Sequence, residues 1–284
     1  MMTGRKSRSR RPAIRRLSLI IATAIIATAI VASLGARAAL ADVSVTPTVL
    51  IFDGEAGTKA ITVKNTGAKE QIYRVSLLNF RMLPDGRMVV ADRPGADEHF
   101  ATGMVRYSPR ELVLAAGGSD VVRFQVAALQ PGEYRTHVLV QQVPDVGALQ
   151  ASPFEHVDGV SIDLQAVFGV AVPLIIRQGD LATTVKIADA RVTALPDGTP
   201  ALGLRLERSG PRSVNGTLSL QRGGKEVGLW DGIAVYAPTG HRDLLLPLSG
   251  DSIAKLGAGE LKATYQEPED VRAGVTATAI VAPR

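Results

Sequence analysis

From Asp42 to the C-terminus the chain is a succession of short runs of alternating or continuous apolar residues separated by turn residues. No stretch keeps the apolar period of a useful amphipathic helix. That punctuation constrains the fold more than any other feature, because side chains repeating every second position need a sheet to bury one face. The runs in the first half are VSVTPTVLIF (43–52), KAITVKN (59–65), QIYRVSLLNF (71–80), RMVVA (87–91), ELVLA (111–115), DVVRFQVAAL (120–129) and EYRTHVLVQQV (133–143). Between them stand Asp53-Gly54, Asn65-Thr66-Gly67, Pro84-Asp85-Gly86, Gly117-Gly118-Ser119 and Pro131-Gly132, all residues that accept turn geometry. A second series follows Gln178-Gly179-Asp180, from LATTVKIADARVTAL to VTATAIVA, with hairpin signals at Asp197-Gly198 and Gly223-Gly224. The expected fold is all-β, two β-sandwiches in tandem. The expected domains are 42–178 and 179–284, with Asp145 to Gly159 as a long segment of poor strand character.

One run stands apart. SIDLQAVFGVAVPLIIR, Ser161 to Arg177, opens with apolar residues at every second position and ends almost wholly apolar around Pro173. Ile162, Leu164, Ala166, Phe168 and Val170 form one row, while Asp163 and Gln165 begin the other. Proline has no amide hydrogen for a ladder, so one edge of the strand should be free near Pro173, or the strand should bulge. A long apolar edge is an aggregation hazard. Either the chain's own second layer covers this strand, or it is kept open for another protein.

Residues 1–41 read as an export signal. Arg5, Lys6, Arg8, Arg10, Arg11, Arg15 and Arg16 precede the weakly polar to apolar run Leu17–Leu34, and Ala39-Leu40-Ala41 is a small-x-small cleavage site. The run approaches spanning length, but its alanine and threonine content and the cleavage pattern point to removal rather than to a retained anchor. Eight of the 32 Lys/Arg and none of the 27 Asp/Glu lie in these residues, so the remaining 243 residues carry a net charge of −3. The basic precursor therefore gives no argument for nucleic acid as a partner. Absence of cysteine excludes disulfides and thiol chemistry and leaves an exported core dependent on burial.

The order VLIFDGEAGTKAITVKNTG, VRYSPRELVLAAGGSDVVRFQV, GEYRTHVLVQQVP, FGVAVPLIIR resembles the N-terminal domain of periplasmic pilus-assembly chaperones of the chaperone-usher pathway (PapD-like), over residues 43–177. The second half matches only in size and strand pattern. The resemblance implies two immunoglobulin-like sandwiches in a boomerang. It also implies a periplasmic, non-enzymatic protein without cofactor or metal. Its partners would be pilin-like or other secreted surface subunits and an outer-membrane usher. In that family the last strand of the first domain is lent to an incomplete subunit, a form of β-augmentation. Carried over by position, the donated side chains are Ile162, Leu164, Ala166 and Phe168. The family's two cationic residues for the subunit's C-terminal carboxylate fall on Val49 and Pro173, neither of which binds an anion; Arg177, Arg74 and Arg106 are the cations that remain to be placed. The alternative reading is a structural or adhesive envelope protein on the same fold, with strand 161–177 permanently buried.

Catalytic patterns are weak. His99, His137, His156 and His241 stand far apart, and His137, beside Val138 and Val140, reads as a structural histidine. Gly250-Asp251-Ser252-Ile253 looks like a hydrolase nucleophile block, yet no histidine follows it, and a turn is expected there. Asn215-Gly216-Thr217 is a glycosylation sequon by pattern and is likewise expected to be a turn.

Overall fold

The computed structural model describes residues 42–54, 56–127, 130–144, 168–249, 260–269 and 271–282. The export signal, the Asp145–Gly159 segment, residues 161–167 of the 161–177 run and the Gly250–Ile253 block lie outside them. Residues Val43–Arg284 form one compact unit holding two β-sandwiches. In the first, a four-stranded sheet has the order β1 (Val43–Thr46), β3 (Gly57–Asn65), β9 (Ser119–Val126), β7 (Val105–Ser108). It faces a five-stranded sheet ordered β2 (Leu50–Asp53), β11 (Gly169–Gln178), β10 (Gly132–Gln142), β4 (Gln71–Leu78), β8 (Glu111–Leu114).

Period-two alternation builds the first core. Ile61 and Val63 of β3 and Val122, Phe124 and Val126 of β9 meet Tyr73 and Val75 of β4, Val138 and Val140 of β10, and Val172, Leu174 and Ile176 of β11. Each such burial contributes about 1.5–3 kcal/mol. Asn65 closes the turn that follows β3 from inside: its amide nitrogen donates to the carbonyls of Lys69, Leu114 and Ala115, while its oxygen accepts from Gly67 N and Tyr73 Oη.

The single strand expected over 43–52 is two strands in different sheets. β1 pairs antiparallel with β3, the chain turns at Pro47, and β2 joins β11 in parallel. The same switch recurs where β7 pairs with β9 and, after Pro109, β8 pairs with β4. Proline cannot donate to a ladder, so each run is broken where it would otherwise have continued in one sheet; both Thr46-Pro47 and Ser108-Pro109 are cis.

The 71–80 run also divides: β4 ends at Leu78 and β5 (Phe80–Met82) forms a hairpin with β6 (Met88–Val90). That hairpin leans on the second sandwich, where Thr239 Oγ1 donates to Met82 O at 2.7 Å and Asp243 N to Pro84 O at 2.8 Å. The second sandwich pairs β12 (Thr184–Ala194), β13 (Pro200–Ser209) and β16 (His241–Pro247) against β15 (Lys225–Val235), β14 (Val214–Arg222), β17 (Leu261–Gln266) and β18 (Thr276–Val281). Leu202, Leu206, Leu218, Leu220 and Tyr265 lie at its centre. The Asn215-Gly216-Thr217 turn is a correction: these residues lie inside β14, and Gly216 is required because a Cβ would come within 2.3 Å of Gln266 O.

Candidate binding surface

β11 is paired with β10 along its length, from Gly169 opposite Gln141 to Gln178 opposite Gly132. On its other edge β2 reaches only Leu174–Arg177. Among the described residues, Gly169 to Pro173 therefore have no ladder partner on that side. The direction of the proline nitrogen follows from the pairing. Gln142 N donates to Phe168 O at 3.0 Å, so even-numbered residues of β11 bond to β10 and odd-numbered ones face the other edge. Gly54 N donating to Arg177 O on that edge agrees. Pro173 thus turns its missing donor toward the open edge.

Side-chain phase divides the strand by face. Val172, Leu174 and Ile176, with Val170 against them, point into the first core. Phe168 is in phase with that row, half-buried, at the point where β11 begins. Ile162, Leu164 and Ala166 continue the same count in the sequence and lie outside the described residues.

The opposite row, Pro173, Ile175 and Arg177, faces the second sandwich. Ile175 joins Met82, Ala234 and Tyr236 in an apolar cluster flanked by Ile51 and Met88. Pro173 is opposite His137, which is 4% exposed and makes edge-on contacts with Phe80 at 5.0 Å and Tyr236 at 6.0 Å. One of the two family anchor positions is therefore set among apolar and aromatic groups, and the other, Val49, is half-buried in the link between β1 and β2.

None of the three remaining cations replaces them. Arg177 is buried and donates from Nε to Glu133 Oε2 at 3.1 Å and from Nη2 to Ser213 O at 2.9 Å. Arg74 lies on the exposed surface, 3.7 Å from Glu111, and Arg106 is exposed on β7 in the opposite sheet.

Glu133 ties the two sandwiches together. Besides Arg177, its carboxylate accepts from Ser213 N at 2.9 Å and from Ser213 Oγ. Two residues on, Arg135 donates to Phe80 O at 2.9 Å and lies 4.6 Å from the Tyr236 ring centroid. Sequence reading singled out His137 alone and missed its neighbours. The signal was present: Glu133, Arg135 and His137 share one phase in an otherwise apolar strand, marking a face that meets something polar.

Burial, reinforced by the nearby Arg135 charge, pushes His137 from 6.5 down to about 3. The unfolded chain then binds a proton that the folded chain refuses between those limits. Stability attributable to this group is complete above pH 6.5 and falls as pH drops toward 3, by up to about 1.4 kcal/mol per pH unit. We expect His137→Phe, which keeps the aromatic contacts, to flatten the melting temperature between pH 6.5 and 4. An unchanged acid slope in thermal unfolding would contradict this.

No family model matches the chain, and no curated protein matches it. Solved structures do. The chain is similar to the CsuC–CsuE chaperone and tip-subunit pre-assembly complex from archaic chaperone-usher Csu pili of Acinetobacter baumannii. The identity is 10% over 85% of this chain and 99% of that one, with a TM-score of 0.44. For the CupB2 chaperone of Pseudomonas aeruginosa the values are 15%, 85%, 100% and 0.42. For the SafB chaperone in complex with the SafA pilin of Salmonella enterica they are 16%, 86%, 99% and 0.43.

Proposed function

We propose that the chain is a divergent periplasmic chaperone of the chaperone-usher type, non-enzymatic, which captures secreted pilin-like subunits by lending them the strand that contains Ile162, Leu164, Ala166 and Phe168. The observation that carries this reading is the half-open β11. Its C-terminal half is locked between β10 and β2, while Gly169–Pro173 have no ladder partner on the β2 side among the described residues, and Phe168 continues the sequence count of the apolar row before it. A strand anchored at one end and unpaired at the other suits β-augmentation, in which backbone pairing supplies affinity and alternate side chains fill pockets. The sheet-switching of β1/β2 supports the same reading, since it leaves β2 too short to cover the whole of β11.

Affinity capture of the exported protein followed by mass spectrometry tests it. Recovery of small secreted subunits rich in β-structure is expected; a wild-type protein that retains no such subunit from a strain exporting them would count against it. The domain division is part of this proposal, one domain over 42–178 and the other over 179–284, with the mature chain beginning at Asp42. N-terminal sequencing of the exported form should read Asp-Val-Ser-Val, and full-length chain in the membrane fraction would overturn removal of the signal.

A further inference from the structure

Sulfur is scarce in this chain and is concentrated at one place. There is no cysteine, and beyond residue 41 the methionines are Met82, Met88 and Met104. Met82 and Met88 face each other across the β5–β6 hairpin. Met82 is 5% exposed, in one cluster with Ile175 of the first sandwich and Ala234 and Tyr236 of the second. Met88 is half-buried and packs against that cluster beside Ile51. Met104 stands apart: it is half-buried at the end of the short 3-10 turn Thr102–Met104 and belongs to none of the apolar clusters among the described residues.

The hairpin depends on that cluster. Among the described residues β5 and β6 pair only with each other, and a two-stranded hairpin is marginally stable at best on its own. Its hold on the second sandwich rests on the two thioethers and on the hydrogen bonds from Thr239 and Asp243 to Met82 O and Pro84 O. The tip is closely seated as well, since a Cβ on Gly86 would come within 2.5 Å of Arg242 Nε.

In a chain without thiols the thioether is the sulfur left to oxidise, and oxidation follows exposure. Met88 is therefore attacked before Met82. A peroxide transfers one oxygen: a sulfur lone pair forms the S–O bond and the O–O bond breaks. The sulfide is oxidised to the sulfoxide, and the peroxide is reduced, its proton ending on the departing oxygen, which leaves as water or an alcohol. The product is polar and needs a hydrogen-bond donor, and the side chains of Ile51, Ile175 and Ala234 have none to give.

We propose that Met88, with Met82 behind it, is a methionine oxidation site whose conversion to sulfoxide by a peroxide releases the β5–β6 hairpin from the second sandwich. The site stands whether or not the chain captures subunits.

The test exposes the mature protein to hydrogen peroxide and follows each methionine by peptide mass spectrometry. Melting temperature is measured alongside, as is tryptic cleavage after Arg87, which is exposed beside the hairpin tip. Formation of Met88 sulfoxide is expected to lower the melting temperature by about 4–8 °C and to make cleavage after Arg87 at least about tenfold faster. Methionine sulfoxide reductase should reverse both. Met82→Leu combined with Met88→Leu keeps the volume and removes both sulfurs, so it should take up oxygen at Met104 and show neither change. Met88→Leu alone, the milder variant, should already suppress both changes, and Met104→Leu should respond as wild type does. Oxidation confined to Met104, Met88 sulfoxide without either change, or a double variant that responds like wild type would overturn the proposal.

Discussion

Leu164→Asp and Phe168→Asp are each expected to leave the isolated protein folded and to abolish subunit capture. If these side chains fill a groove in a client, each contributes about 1.5–3 kcal/mol of apolar burial at that interface. A carboxylate in the groove adds a desolvation penalty. Losing both contacts amounts to about two to four powers of ten in affinity before that penalty is counted. Phe168 is only half-buried in the isolated chain and stands outside the packed row that begins at Val172, so its own sandwich loses little. The alternative, a permanently covered strand in a structural envelope protein, predicts the reverse, because Asp would then be buried unpaired in the protein's own core. Thermal unfolding beside client binding separates the two: a large fall in melting temperature with intact capture would sink strand donation. Pro173→Lys is the companion variant. It places a cation on the strand face turned toward the second sandwich, opposite His137, and a chaperone should tolerate it or gain affinity.

Glu267→Ala should be the most damaging single truncation in the second sandwich. Arg212 and Glu267 are 2% and 1% exposed at their side chains and form a bidentate pair, Nη1 to Oε1 at 3.0 Å and Nη2 to Oε2 at 2.8 Å. The remaining valences are filled by backbone. Arg212 also donates to Ser213 O and Ala273 O, and Glu267 accepts from Asn215 N and Val275 N. Removing the carboxylate strands a buried guanidinium and two amides, a loss of about 3–5 kcal/mol. At about 2–4 °C per kcal/mol for a chain of this size, the melting temperature should fall by about 6–20 °C. Adding Arg212→Met should recover part of the loss, since no unpaired charge is then left inside. A single variant melting within about 2 °C of wild type, on the same scale, would show that water reaches the pair.

Strand content, most of the turn positions and the two-layer architecture were legible from residue order, because period-two burial and glycine or asparagine at turns are local requirements; Asn215-Gly216-Thr217, inside β14, is the exception. Ile61 and Val63, Val138 and Val140, and Val172 and Leu174 are buried as their alternation demands. That Pro173 would leave one ladder without its donor was legible for the same reason, since a missing amide hydrogen is a property of one residue. Pairing partners were not. Nothing within 43–52 says that β1 and β2 belong to different sheets; that depends on β11 offering Leu174–Arg177 to β2 some 120 positions later. The buried polar groups were the least visible part of the molecule. Glu133 and Arg135 are ordinary charged residues in sequence, and only the approach of Ser213, Ala237 and Tyr236 from the second sandwich takes them out of water and gives them partners. Local chemistry determined where this chain makes strands and turns. The tertiary structure decided which charges are buried and what neutralises them, because desolvation and ion pairing are set by neighbours that the sequence keeps far apart.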